Sequence, residues 1–190
     1  FFTVQLNYDS FHFAHVYRVH LGKEASAAKV FPALAEKLMT NFSSISEATR
    51  LKKTTLAIQY NDTRLSDIRT YYVDENFFDV LNYEVIAGNK ENLKAPYRVF
   101  ISETLSRKIT DNIFSIIGET ILIPKDNGYE SYTVEGILKD TPLNSHLKFD
   151  MLVSYISLDE GKPAFQYGWA FKGVDTYVKA TKPIKWQVVK

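Results

Sequence analysis

Residues 132–150, YTVEGILKDTPLNSHLKFD, constrain the fold most, because they read as one strand, a hard stop and a second strand returning. Tyr132, Val134 and Gly136 alternate with Thr133, Glu135 and Ile137, the period of a strand, and Asp140-Thr141-Pro142 ends the pairing. Phe149, Met151, Val153 and Tyr155 then resume the alternation. Two strands joined in this way predict a crossing between sheets. Gly136 weakens the first strand unless another backbone or a large side chain passes close to it.

The elements before that segment mix helix and strand. VYRVHL predicts a first strand over His15 to Leu21. Ala27, Val30, Phe31, Leu34, Ala35, Leu38, Met39 and Phe42 follow the three-four spacing of an amphipathic helix, but Pro32 costs roughly 3 kcal/mol inside one. The regular helix therefore starts within a turn of Pro32 and runs to about Phe42. Thr55 to Tyr60 and Leu65 to Val73 predict a hairpin turning at Asn61-Asp62. Asp74-Glu75-Asn76 offers an N-cap to a short helix over Phe77 to Leu81, and Gly88-Asn89 makes the next turn. Val99 to Ile101 reads as a strand, Ser102 as the cap of a helix over Glu103 to Ile109, and Ile121 to Ile123 pairs with Ser131 to Leu138 across Asp126-Asn127-Gly128. A loop from Ser157 to Gly168 precedes Trp169, and Asp175 to Ala180 is the last strand.

Helices and strands alternate without regular βαβ units, so the class is α+β. The strands at Phe149 to Tyr155 and Asp175 to Ala180 have no neighbouring hairpin partner. They are expected to pair with the strand at His15 to Leu21 and the hairpin from Thr55 to Val73, so that 1–73 and 144–190 form one subdomain and 74–143 an insertion.

Composition narrows the chemistry. With 23 basic and 22 acidic residues the net charge is +1, too balanced to recruit nucleic acid or an anionic membrane surface by its field. The chain has no cysteine, which excludes disulfides, thiolate metal sites and a cysteine nucleophile. Its 12 Tyr and 13 Phe suit a β-rich core with aromatic cross-strand pairs. No apolar run approaches the eighteen or so residues of a membrane helix. The apolar start, Phe1 to Leu6, reads as the last turn of a helix continuing from a membrane segment, or as a processed or truncated terminus.

Asp9, His12 and His15, with His20, have the spacing to meet a metal on a helix, but the stretch reads partly as strand among aromatics. His146 lies in a turn and is assigned a structural role at the crossing. Ser102 lacks a nucleophile elbow, and the adjacent pairs Asp74-Glu75 and Asp159-Glu160 project differently instead of facing one cleft. Gly22-Lys23 and Gly161-Lys162 lack the other residues of a phosphate loop. Lys52, Lys53 and the lysines at 179, 182, 185 and 190 read as an ordinary charged face. No catalytic, cofactor-binding or metal residue is assigned.

Four stretches together carry a family resemblance: YDSFH (8–12) with YRV (17–19), YVDENFFDVLNYEVIAGN (72–89), VFISETLSRKI (99–109) and YTVEGILKDTPLNSHLKFD (132–150). They resemble the extracytoplasmic core domain of MacB-like, FtsX-type ABC transporter permeases of the Bacteroidetes type. The resemblance implies a noncatalytic periplasmic domain lying between the first and second membrane helices. It implies a porter-like membrane-proximal subdomain over 1–73 and 144–190 and an inserted, mostly β, Sabre-like subdomain over 74–143. It further implies coupling of ATP-driven helix movement to export or extraction of a substrate, called mechanotransmission, with no cofactor in this domain. The implied partners are the membrane helices of the same permease, a cytoplasmic ATPase subunit, a periplasmic adaptor or exported substrate, and a second permease in a dimer, with no nucleic acid. Both ends, Phe1 and Lys190, are then expected at one end of the molecule. A free-standing extracytoplasmic ligand-binding or sensory module is the alternative, favoured by the aromatic content and the Ser157 to Gly168 loop.

Overall fold

A computed structural model describes residues 2–6, 15–21, 29–142, 145–158, 168–169 and 173–183. The strands are β1 (Phe2–Leu6), β2 (Val16–Leu21), β3 (Ile45–Tyr60), β4 (Thr63–Val73), β5 (Val85–Gly88), β6 (Arg98–Ser102), β7 (Thr120–Lys125), β8 (Gly128–Leu138), β9 (Met151–Ser154) and β10 (Asp175–Ala180). The helices are α1 (Leu34–Asn41), α2 (Phe77–Val80) and α3 (Glu103–Ile109), with 3-10 turns at Lys90–Lys94 and Tyr155–Ser157. The fold is sheet-rich and mixed α and β. It divides into two compact units, one of Phe1–Lys52, Val73–Asn82 and Leu158–Lys190, the other of Lys53–Tyr72 and Tyr83–Ser157.

In the first unit the strand order is β1-β2-β10-β3, antiparallel throughout. Thr176 of β10 stands opposite Val19 on one side and Arg50 on the other, so the last strand is internal. Internal position explains its burial: Asp175 to Val178 are all covered, on both faces. Helix α1 begins two residues after Pro32 and buries Leu34, Ala35 and Leu38. Val30, expected on the helical stripe, instead bridges to Val174 in extended conformation. The proline accounts for this, because the segment entering Pro32 is biased away from helix. Helix α2 buries Phe77, Phe78 and Val80. The expected N-cap does not form: Asn76 makes no side-chain cap bond, and its amide donates to Glu47 Oε2 at 2.9 Å and to the Ala48 carbonyl at 3.0 Å.

The apolar start is a strand and not a helix turn, because Phe2 to Leu6 pair with Leu21 to Tyr17. Phe1 and Lys190 lie outside the described residues. Phe2 stands opposite Leu21, whereas Ala180 donates its N–H to the His15 carbonyl at 2.9 Å. Phe2 therefore stands at the Leu21 end of this ladder and Ala180 at the His15 end, because β1 doubles back along β2.

In the second unit the order is β4-β9-β6-β8-β5, with β7 paired to β8 and, at Gln59↔Leu122, to β3. The β7–β8 hairpin turns at Asp126-Asn127 as expected, with Lys125 opposite Gly128. The crossing is corrected: β8 runs parallel to β6 and β9 antiparallel to it, so the two strands flank β6 in the same sheet. All four residues of β9 are buried, as an internal strand requires, and Tyr155 has already turned into the 3-10 segment. Because β9 pairs with β6, it falls in the second unit. The compact units part at 52/53, 72/73, 82/83 and 157/158.

Gly136 has the close neighbours its position in β8 demanded. A Cβ there would lie 2.6 Å from the Ala87 carbonyl oxygen and 2.8 Å from Phe100 Cε1. Its partner on β5 is Gly88, at φ 103, where an added Cβ would overlap the Glu135 carbonyl. Two backbones meet here without side chains between them.

Candidate interaction sites

Two arginine–aspartate clamps organise the polar groups. In the first unit the Arg50 backbone N–H and Nε donate to Asp74 Oδ2 at 2.7 and 2.9 Å, and a terminal guanidinium nitrogen donates to Oδ1 at 2.7 Å. The Asp74 N–H returns to the Arg50 carbonyl at 3.4 Å. In the second unit Arg69 makes the same set to Asp150, at 3.1, 2.8 and 2.7 Å, and the Asp150 N–H donates to the Arg69 carbonyl at 2.8 Å. Each aspartate lies one residue beyond a strand end, Asp74 after β4 and Asp150 before β9. Its carboxylate takes the strand N–H that a carbonyl would otherwise have accepted, and bidentate geometry fixes the register. Burial alone would push the Asp150 carboxyl up. The Arg69 side-chain and backbone hydrogen bonds, with the charges of Arg69 and Lys108, outweigh it and hold that carboxyl below its ordinary value.

The first unit also holds a buried carboxylate between two cations. Asp175 accepts from Arg18 at 2.7 Å and from Lys29 at 2.6 Å, with its side chain 5% exposed. This ties β2, the segment before α1 and β10 together. In the same unit a cleft of about 230 Å³ lies against Pro32, Glu36 and Met39 on the α1 side and Arg50, Asp74 and Glu75 on the other.

In the second unit the crossing is fixed by Ser145. Its Oγ donates to the Leu147 carbonyl at 3.0 Å, shares a 3.2 Å hydrogen bond with Tyr83 and accepts from Leu147 N–H at 3.2 Å. His146 is exposed between buried Ser145 and Leu147. Asp140 serves α3: it accepts the Thr104 N–H at 3.0 Å and the Thr104 hydroxyl at 2.6 Å, adding to the expected Ser102 cap on Leu105. Tyr132 is buried and donates to Glu130 at 2.7 Å; burial first, then Tyr72 and Glu130, raises its phenol well above the ordinary value. A second, more open groove of about 280 Å³ lies between the ends of the β3–β4 and β7–β8 hairpins.

Asp9, His12, Gly22-Lys23, Asp159-Glu160, Gly161-Lys162 and lysines 185 and 190 lie outside the described residues, as does the side chain of His20. Among the described residues, no three His or acidic side chains converge as metal ligands. Asp74 enters the clamp while Glu75 is exposed, yet both line the cleft against α1, where the sequence predicted that they would not share one. Lys179 is no free surface cation, since it donates to the Asp79 carbonyl at 2.8 Å. Sequence reasoning missed both clamps. The residue types were visible, but their separations of 24 and 81 positions carry no local signal.

Residues 2–190 match the model of the MacB-like periplasmic core domain, and the chain belongs to that family, extracytoplasmic domains of ABC transporter permeases. Among solved structures it is similar to a domain of a putative permease protein from Porphyromonas gingivalis, with TM-score 0.72 and 21% identity over 83% of this chain and 65% of that one. The periplasmic region of MacB from Actinobacillus actinomycetemcomitans gives 0.69 and 13%, over 92% and 78% of the two chains. The extracellular domain of the noncanonic ABC-type transporter YknZ from Gram-positive bacteria gives 0.61 and 13%, over 88% and 84%. At these identities the likeness is one of fold. No curated protein matches the chain. No enzyme family is indicated, and no described helix is long and apolar enough to cross a membrane.

Proposed function

We propose that this domain is a noncatalytic coupling element of an ABC transporter permease, passing ATP-driven movement of the membrane helices to the export or extraction of a substrate. In this reading the first unit is porter-like and connects to the helices, and the second is the Sabre-like insertion, with borders displaced from 73/74 and 143/144. A cytoplasmic ATPase supplies the energy, and a periplasmic adaptor or the exported substrate receives it.

The observation that carries the reading is the place of β10. The strand nearest the C-terminal end is hydrogen-bonded between β2, near the N-terminal end, and β3. A pull on either chain end therefore acts on one ladder, reinforced by Arg18 and Lys29 on Asp175. The full-length permease with its ATPase in liposomes tests this by hydrogen exchange. Amides of Val16–Leu21 and Asp175–Ala180 are expected to change protection between the ATP-bound and ADP-bound states. Protection independent of nucleotide would overturn coupling and favour the free-standing ligand-binding or sensory module.

A further inference from the structure

We propose that the groove between the β3–β4 and β7–β8 hairpins docks an extended segment of a partner protein that carries an apolar side chain next to a carboxylate. Its walls are Ala57, Leu65, Pro124 and Tyr129, with Arg64 at the margin. At about 280 Å³ it is smaller than most small-molecule sites and suits one large side chain. From Lys53 to Ala57 each residue of β3 is exposed or half-exposed, and Leu65 is half-exposed on β4, so the groove is open to solvent. Tyr129 is 53% exposed and its hydroxyl meets no acceptor among the described residues.

Charge selects the occupant. Arg64 is the one charged residue among the described lining, and its hydrogen bond is from Nε to Gln59 Oε1 at 3.0 Å. The terminal guanidinium nitrogens face no carboxylate among the described residues, and their fork fits one bidentately. Tyrosine and arginine are among the residue types that concentrate binding energy at protein interfaces. That the partner is an adaptor or cargo rests on the coupling reading above; the chemistry of the groove does not.

The test is an amide-shift titration of the isotope-labelled domain with the capped dipeptides Ac-Phe-Asp-NH2 and Ac-Phe-Lys-NH2. Shifts are expected to cluster at Ala57, Arg64, Leu65 and Tyr129, with the acidic dipeptide about tenfold tighter, a difference of about 1.4 kcal/mol. Tyr129→Ala should abolish both responses, and Arg64→Gln should abolish the preference, with the remaining spectrum unchanged. Scattered shifts, equal response to the two dipeptides or no saturation overturn the proposal. So does self-association lost in Tyr129→Ala, which gives the groove to a second copy, or displacement of its signals by phosphatidylglycerol vesicles alone, which gives it to a membrane surface. None of these outcomes changes the nucleotide-dependent exchange expected in β2 and β10, so the two readings fail separately.

Discussion

The Arg50–Asp74 and Arg69–Asp150 clamps have the same bonds in the same order, yet their surroundings differ. Arg50 is 13% exposed and Arg69 51%, while their aspartates are alike at 16% and 15%. Loss of Asp74 removes the acceptor of three hydrogen bonds from a largely covered arginine, whereas loss of Asp150 leaves an arginine that water can solvate. Identical geometry thus carries different stability, and the arginine's access to water decides which clamp matters more.

Asp74→Ala should have the largest effect, lowering unfolding free energy by about 3 kcal/mol in urea titration. A loss no greater than that of Asp150→Ala would break the comparison. Gly136→Val should cost about 2–3 kcal/mol, since its side chain meets the Ala87 backbone and the Phe100 ring. This variant separates burial from location: a large loss in the second unit shows that the tolerance expected at Arg69 belongs to its exposure. Asp150→Ala should cost about 1–2 kcal/mol.

Acid sharpens the contrast. The Asp150 carboxyl is held below its ordinary value, so its stabilisation is complete above about pH 4 and lost as pH falls through the lower folded value. The melting-temperature gap between wild type and Asp150→Asn should therefore shrink on acidification. A gap that widens would reverse the assignment. Arg69→Lys should be smallest, below about 1 kcal/mol, because one exposed ammonium keeps the attraction and loses the fork.

Local signals carried much of this fold into the sequence. Helix α1, the Ser102 cap, the β7–β8 turn and the crowding at Gly136 each depend on residues within a few positions or on the size of one side chain. What escaped depends on distant partners. Nothing near Ile45 announces that β3 runs sixteen residues, since its base is made a strand by pairing with β10. The alternation at Phe149 to Tyr155 marks a strand, but β9 is covered on both faces, where period carries no information about sides. The groove was similarly hidden: Arg64 and Tyr129 are ordinary surface residue types until two hairpin ends bring them together.

The central position of β10 also sets an order of assembly. Every residue of the second unit lies at or before Ser157, so its strands can all pair while the chain is still being made. The first unit has to wait. Until residues 175–180 emerge, β2 and β3 lack the strand that joins them, and each presents an open edge. A growing chain therefore can finish its middle before its beginning, and β10 acts as the keystone for segments synthesised more than a hundred residues earlier.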